Sequence, residues 1–250
     1  MPARRLTDKE LEYQVLVSKH VFPEHVVFDF AVTNTVSDQK LNGVTVSMQS
    51  SDPGLFTPHA VLSAGSIGGN ETRHAYVAYR REVHGGGVVP RSSFECSLEF
   101  QSVDIEEATG EEISDPIDEV YPLSQTVEFS ARDMIRPQPV SNFRVEWEAT
   151  GKTGQEELKL QVEAPTVAAV ASRLLKVSGL AACDGTGSIG STAPKASPLL
   201  AGTYASGERV LVRTALVQVK SDRVGVRLMV RCSNPAVPAA VALLLQTLQT

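Results

Sequence analysis

The sequence predicts a mainly β chain in two parts, a β-sandwich followed by an α+β subdomain of antiparallel sheet and two helices. Three observations favour this class. Short segments with apolar residues at every second position fill the chain up to about Phe129. The stretch "SARDMIRPQPVSN", with two prolines, then marks a boundary. Beyond this boundary, segments that alternate as strands do are mixed with two segments whose apolar residues recur with the period of a helix. We therefore place the subdomains at residues 1–135 and 136–250.

The first part contains segments that alternate as half-buried strands do. In the second of them, Val26, Phe28 and Phe30 share one face. Stretches rich in polar residues, glycine or proline separate the segments, which favours antiparallel hairpins and a sandwich. The predicted strands are Tyr13–Val17, His25–Thr33, Val44–Met48, His74–Tyr79 and Ser93–Phe100.

The second part combines strands with helices. Residues 165–180 have helical period, with Thr166 suited to start the helix and Gly179 to stop it. A last helix covers residues 234–248, with Asn234 as its N-cap. The predicted strands are Asn142–Ala149, Leu158–Glu163, Leu199–Ala205, Arg209–Lys220 and Arg223–Ser233.

Composition narrows the function. The 250 residues carry a formal net charge of −6, which argues against a nucleic-acid partner. Three cysteines stand far apart without a Cys-x-x-Cys pair, and the five histidines lack ligand spacing, so no metal and no cofactor is expected. No segment is apolar and long enough to span a bilayer. These features predict a cytoplasmic protein whose contact with membranes is indirect.

Two motifs that could carry chemistry lack their structural context. "GTGSIG" (185–190) has the spacing of a dinucleotide loop, but a predicted helix precedes it and prolines follow it. "HGGG" (84–87) has the composition of an esterase oxyanion loop, yet the chain has no Gly-x-Ser-x-Gly nucleophile elbow. We therefore expect a binding module and no enzyme. A hydrolase built on His84 stays as an alternative.

The segment from Leu6 to Val46 resembles the start of the appendage domain of the coatomer gamma subunit. Further similar stretches are Thr109–Glu111, Phe143 with Trp147, Leu199–Leu216 and Val230–Ser233. The residues of the first segment that carry the resemblance are Leu6, Thr7, Glu12, Tyr13, Val15, Lys19, His20, Phe22, His25, Val27, Phe28, Phe30, Thr33, Asn34, Thr35, Asp38, Gln39, Leu41 and Val44.

This resemblance implies an immunoglobulin-like β-sandwich followed by a platform subdomain. It also implies a recruitment module of the COPI vesicle coat, peripheral on Golgi membranes and COPI vesicles. The implied partners are an Arf GTPase-activating protein, other COPI accessory factors and other coatomer subunits. The alternative is a structural sandwich module that packs against other coat subunits without a peptide site of its own.

The resemblance also implies three partner-binding residues, Trp147, Arg213 and Arg231. By alternation alone Trp147 would be a core residue, on one face with Phe143 and Val145. The resemblance instead places it at a binding patch with the two arginines beside it. We expect an indole that stands out toward water and offers a flat apolar surface. The arginines would bind carboxylates or backbone carbonyls.

The stretch "TNTVSDQ" (33–39) follows a predicted strand directly. Thr and Asn side chains can bond to backbone groups where a strand leaves its ladder. We predict a corner held by its own side chains, which sets the register of the next strand.

Overall fold

The computed structural model describes residues 3–82, 91–106 and 108–249, in two compact units. The first unit holds residues up to 82 together with 91–129, and the second holds those from Ser130 onward. The domain limits 1–135 and 136–250 remain a prediction about which parts fold independently. The motif at His84–Gly87 and residue Glu107 lie outside the described residues.

The first unit is built from strands alone. The strands are β1 Arg4–Arg5, β2 Tyr13–Val21, β3 His25–Asn34, β4 Gln39–Ser50, β5 Phe56–Leu62, β6 Gly65–Ile67, β7 Thr72–Arg81, β8 Ser92–Asp104, β9 Ile117–Pro122 and β10 Val127–Phe129. They pair antiparallel in two sheets, with orders β1-β2-β3-β7-β5 and β10-β8-β4-β6. Strand β9 also pairs with β8. All five predicted strands of this part are confirmed.

Aromatic side chains from both sheets meet in the core of this unit. Phe28 on β3 lies 5.0 Å from Phe94 on β8, measured between ring centroids. Phe94 also contacts Phe56 on β5 and Tyr79 on β7. Val26, Phe28 and Phe30 are fully buried, as their alternation predicts. Two facing sheets with a shared aromatic core form the predicted β-sandwich.

The predicted corner after β3 is confirmed by its hydrogen bonds. The buried Asn34 donates from Nδ2 to the Gln39 carbonyl at 2.8 Å and accepts the Val36 amide on Oδ1 at 3.0 Å. Thr35 donates its hydroxyl to the Glu12 carbonyl at 2.8 Å. One side chain thus bridges the end of β3 and the start of β4.

The second unit is a mixed layer of strands and helices. Its described strands are β11 Ile135–Pro137, β12 Gln155–Glu163, β13 Ala181–Ala182, β14 Lys195–Ala196, β15 Leu199–Tyr204, β16 Arg209–Lys220 and β17 Arg223–Arg231. Its described α-helices are α1 Phe143–Ala149, α2 Val167–Ser178 and α3 Ala236–Gln246, one more than predicted, and short 3-10 helices cover Ala131–Met134 and Thr247–Gln249. The antiparallel sheet has the order β11-β15-β16-β17-β12, with β13 beside β15 and β14 beside β16.

Helices α2 and α3 follow the predicted local signals. The Thr166 hydroxyl accepts the Ala169 amide at 3.1 Å, and Gly179 ends α2 with a positive φ of 67°. At α3 the residue before the first turn is Pro235, where Asn234 was predicted. The Asn234 Oδ1 atom still accepts the Ala236 amide at 3.1 Å, so it serves the helix from one position earlier.

The predicted strand Asn142–Ala149 is wrong, because Phe143–Ala149 is helix α1. Asn142 caps it, with Oδ1 accepting the Val145 amide at 3.1 Å. A strand would bury Phe143, Val145 and Trp147 together, whereas Val145 is exposed and the other two are buried. Phe143 and Trp147 are four residues apart, which is one turn of a helix. The burial of Phe143 and Trp147 therefore fits the period of a strand and the period of a helix equally well. Only the exposure of Val145 shows that the segment is a helix.

Candidate functional site

Strand register brings Arg213 and Arg231 together. Arg213 on β16 lies opposite Met229 on β17, and Leu211 lies opposite Arg231. The two arginines are therefore diagonal neighbours on one face of the sheet, within reach of long side chains. The residues between them in β16 and β17, such as Val212 and Val230, are buried on the other face.

Helix α1 packs on the face that carries the arginines. Its Phe143 and Trp147 rings stack with centroids 5.7 Å apart. They join a buried cluster with Val140, Cys183, Ala201 and Leu211, flanked by the partly buried Leu199 and Met229. Burial raises the pKa of the Cys183 thiol, which keeps it in its neutral form at the base of the site.

Both guanidinium groups lie against the Trp147 ring. The Cζ atom of Arg213 is 4.3 Å from the ring centroid and that of Arg231 is 4.2 Å from it. These distances are well within the range of cation–π attraction. The three residues predicted from the resemblance thus form one cluster, which we call the indole–arginine site.

The predicted exposure of Trp147 is wrong. The residue is only 3% exposed, because α1 turns the ring onto the sheet and both guanidinium groups cover it. The indole therefore offers no flat surface to water. It instead supports two planar cations, of which Arg213 is half-buried and Arg231 is buried.

Arg231 is held rigidly. Its Nη1 donates to the Trp147 carbonyl at 2.9 Å and its Nε donates to Gln155 Oε1 at 2.8 Å. The first bond satisfies a carbonyl in the last turn of α1, which has no partner within the helix. Burial and the neighbouring Arg213 lower the pKa of Arg231. The site therefore carries concentrated positive charge.

Arg213 is half-buried and more available than Arg231. Within residues 3–82, 91–106 and 108–249, its guanidinium makes no hydrogen bond and no ion pair, only the contact with the Trp147 ring. Arg231 likewise has no carboxylate partner in the described part of the chain. Of these two adjacent cations without a counter-charge, Arg213 has donors available for a carboxylate from another molecule.

The sequence did not indicate Gln155, Leu199 and Met229, which line this site. Gln155 orients Arg231, while Leu199 and Met229 are its partly exposed apolar rim. Their position follows from cross-strand pairing, since Leu199 lies opposite Arg213 in β15 and Gln155 opposite Arg231 in β12. Alternation along β17 could have indicated that Arg227 and Arg231 share a face. The positions of Gln155 and Leu199 could be known only from the pairing between strands.

The "GTGSIG" motif forms part of a loop whose bonds are local. The Thr186 hydroxyl donates to the Cys183 carbonyl at 2.7 Å and accepts the Leu199 amide at 2.9 Å. No helix begins after it in the described residues before β14. The glycines therefore lack the helix N-terminus that a pyrophosphate site requires.

Two family models match this chain. A family model described as the coatomer gamma subunit appendage platform subdomain matches residues 2–130, more than half of the chain. The chain belongs to the coatomer gamma appendage family. A second model, the coatomer subunit gamma-1 C-terminal appendage platform, matches residues 132–245.

Relatives of this coatomer gamma appendage occur in plants and animals. The chain is 29% identical over 238 residues to coatomer subunit gamma of Arabidopsis thaliana, covering 94% of this chain and 26% of the relative. It is 30% identical to human coatomer subunit gamma-2, covering 96% of this chain and 27% of that protein. The chain thus spans about a quarter of the length of the curated relatives it matches.

Among solved structures, the GAE domain of yeast GGA1 is 6% identical with a TM-score of 0.30. The matched region covers 49% of this chain and 98% of the GGA1 domain. The family assignment does not depend on this likeness.

Proposed function

We propose that this coatomer gamma appendage recruits an Arf GTPase-activating protein and other accessory factors to the COPI coat, without catalysis of its own. One observation carries the proposal: Arg213 and Arg231 lie within 4.3 Å of a buried indole, with no carboxylate partner among the described residues. Charged groups that are fixed and partly desolvated act more strongly than free surface lysines. Such a pair suits capture of an acidic side chain from a partner.

The division of labour within the indole–arginine site follows from its geometry. Trp147 fixes the planes of the guanidinium groups, and Arg231 is fixed further by Gln155 and the helix carbonyl. Arg213 keeps its donors free and would make the forked bonds to a carboxylate. Leu199 and Met229 would contact an apolar side chain beside it. A site of this size is expected to bind in the ~μM range, corresponding to about 8 kcal/mol.

We also propose the setting of this recruitment. As part of a gamma subunit, the domain would contact other coatomer subunits, remain in the cytoplasm and associate with Golgi membranes and COPI vesicles through the coat. Across the described residues, no helix is long and apolar enough to cross a membrane. Attachment through the assembled coat accounts for membrane association without an insertion of its own.

The sharpest test is Arg213→Glu, assayed by pull-down of the Arf GTPase-activating protein from cytosol. The variant reverses the charge of the available guanidinium and disturbs no hydrogen bond or ion pair of that side chain in the described residues. We expect capture to fall at least about tenfold, because a carboxylate would then be repelled. Arg73→Glu makes the same charge change on an exposed side chain of the first unit and should leave capture unchanged.

Trp147→Ser is a weaker test, because the residue is buried in the cluster under α1. Truncation of a buried aromatic costs about 3–5 kcal/mol, so lost capture would reflect lost structure as well. If folded Arg213→Glu captures the factor as well as the natural sequence does, recruitment through this site is excluded. The alternative of a structural module that packs on other subunits would then be favoured.

A further inference from the structure

The face of the sheet that carries the indole–arginine site continues beyond α1 along β16. Arg213, Ala215 and Val217 alternate on it, while Thr214 and Leu216 are buried on the other face. Lys195 on β14 lies opposite Val217, and Arg227 on β17 lies opposite Ala215. We call these five residues the basic strip: Lys195, Arg213, Ala215, Val217 and Arg227.

The apolar centre of the basic strip is open to solvent. Val217 is 49% exposed and Ala215 is exposed beside it. Gly225 lies opposite Val217 and adds no side chain there. A Cβ atom on Gly225 would lie 3.2 Å from Val219 Cγ2, so the glycine lets Val219 pack closely over it. An apolar side chain from a partner could therefore reach Val217 directly.

Positive charge dominates this face of the sheet, although the chain has a formal net charge of −6. By strand register its carboxylates are Glu157 and Glu163, and its cations are Arg136, Lys159, Lys195, Arg209, Arg213, Lys220, Arg223, Arg227 and Arg231. Glu157 is shared between Arg227 at 2.8 Å and Lys159 at 3.5 Å. Lys195 and Arg213 have no ionic partner within the described part of the chain. The strands of this face therefore carry too few carboxylates to balance its cations.

The spacing of the unbalanced cations sets the form of a partner. Arg213 and Val217 are four residues apart in β16, about 13 Å at the rise of a strand, and Lys195 lies beside Val217. An extended peptide with acidic residues four positions apart would match both cations. A residue midway between them has its side chain on the same side as the acids and would contact Ala215 and Val217.

We propose that the basic strip binds an extended acidic segment of a recruited partner, with two carboxylates four positions apart and an apolar residue midway between them. The proposal rests on the proposed function, since it names the chemistry of a segment that a recruitment module would take. The strip shares Arg213 with the indole–arginine site and extends it to Lys195, so a partner that reaches both cations would bind more tightly.

The test measures binding of a fluorescein-labelled ten-residue peptide by anisotropy. The peptide carries Asp at positions 3 and 7 and Leu at position 5, in a Gly/Ser background. The double variant Lys195→Glu with Val217→Asp should raise its Kd about tenfold or more, because one ionic contact and one apolar contact are lost. The control double variant, Lys9→Glu with Val61→Asp, makes equal charge changes at exposed positions of the first unit and should bind normally.

Two further probes complete the test. A peptide with Asn in place of both Asp residues should not bind, and added salt should weaken binding of the acidic peptide. Vesicles with 30% phosphatidylserine test whether the strip binds an anionic membrane surface instead of an acidic peptide. The proposal is overturned if the Asn peptide binds equally, if the strip variant binds like the control, or if only the vesicles bind. Urea unfolding of both double variants shows that each is folded.

Failure of the basic strip can be told apart from failure of the proposed function. Capture of the Arf GTPase-activating protein by the natural sequence, with no effect of the strip variant on peptide binding, removes the strip alone. Strip-dependent peptide binding without capture of that factor removes the named partner and leaves the strip standing.

Discussion

Asn34 shows how one side chain can fix a strand pairing in this chain. Its amide bonds to backbone groups on both sides of the corner, and the residue is fully buried. Its own backbone amide donates to the Glu71 carbonyl at 3.1 Å. The corner therefore ties together β3, β4 and the turn before β7, which explains why its residue types are so specific.

Asn34→Ala should lower the free energy of unfolding by about 1–3 kcal/mol, because the Gln39 carbonyl and the Val36 amide lose their partner in a part-buried site. Urea unfolding followed by circular dichroism, with an unchanged m-value, measures this directly.

Thr33→Ala is the matched control, since it removes only the exposed hydroxyl pair with Thr72. Its expected cost is about 0.5 kcal/mol or less. Equal costs for the two variants would mean that Asn34 does not act as the bridge described here.

At the scale of elements, the register of β12 on β17 positions the indole–arginine site. The pairing of Gln155 with Arg231 brings the amide to the guanidinium. Gly154 precedes this pair, and its carbonyl accepts the Cys232 amide at 3.0 Å. A Cβ atom at Gly154 would lie 2.1 Å from the Cys232 carbonyl oxygen, so only glycine permits this approach of the two backbones.

Gly154→Ala should destabilise the chain by about 1–3 kcal/mol, because the contact is with backbone and cannot be relieved by a side-chain rotation. Calorimetric or urea unfolding measures the loss. The variant should also weaken peptide capture if β12 moves, since Gln155 orients Arg231.

Gly54→Ala controls for the substitution itself, because a Cβ atom there meets no atom within 4 Å. We expect its stability to stay within about 0.5 kcal/mol of the natural sequence. A Gly154→Ala variant as stable as this control would show that the two backbones can separate at little cost.

At the scale of the whole molecule, each unit has sheets and a buried core of its own. The first unit buries Phe28, Phe56 and Phe94 between two sheets, and the second buries Leu174 and Val241 of its helices. The indole–arginine site and the basic strip both lie within the second unit. Positive charge on that unit, in a chain of net negative charge, would steer acidic partners toward one face.

Residues 130–250, expressed alone, should fold and unfold cooperatively in urea and retain binding of the acidic ten-residue peptide. Cooperative unfolding follows from a complete core, and binding follows because every residue of both surfaces is present. Near-ultraviolet circular dichroism and the anisotropy assay check the two parts. A fragment with no cooperative transition would show that the units depend on each other for stability.

Much of the fold was determined by the sequence itself, because alternation is a local property. In β3, β7 and β8 apolar residues alternate along most of each strand, and a strand buries one face whatever it pairs with. Thr166 and Gly179 likewise bound α2 through contacts within a few residues. The Asn34 side chain belongs to the same class, since its two bonds at the corner span five residues or fewer.

The tertiary structure alone decided the surroundings of Trp147. Seven residues are too few to separate a period of 2 from one of 3.6, so the nature of α1 depended on the sheet it packs on. Burial of the indole depends on Arg213 and Arg231, which reach it from distant strands. The resemblance named these residues, but pairing between β16 and β17 decides that the guanidinium groups cover the ring.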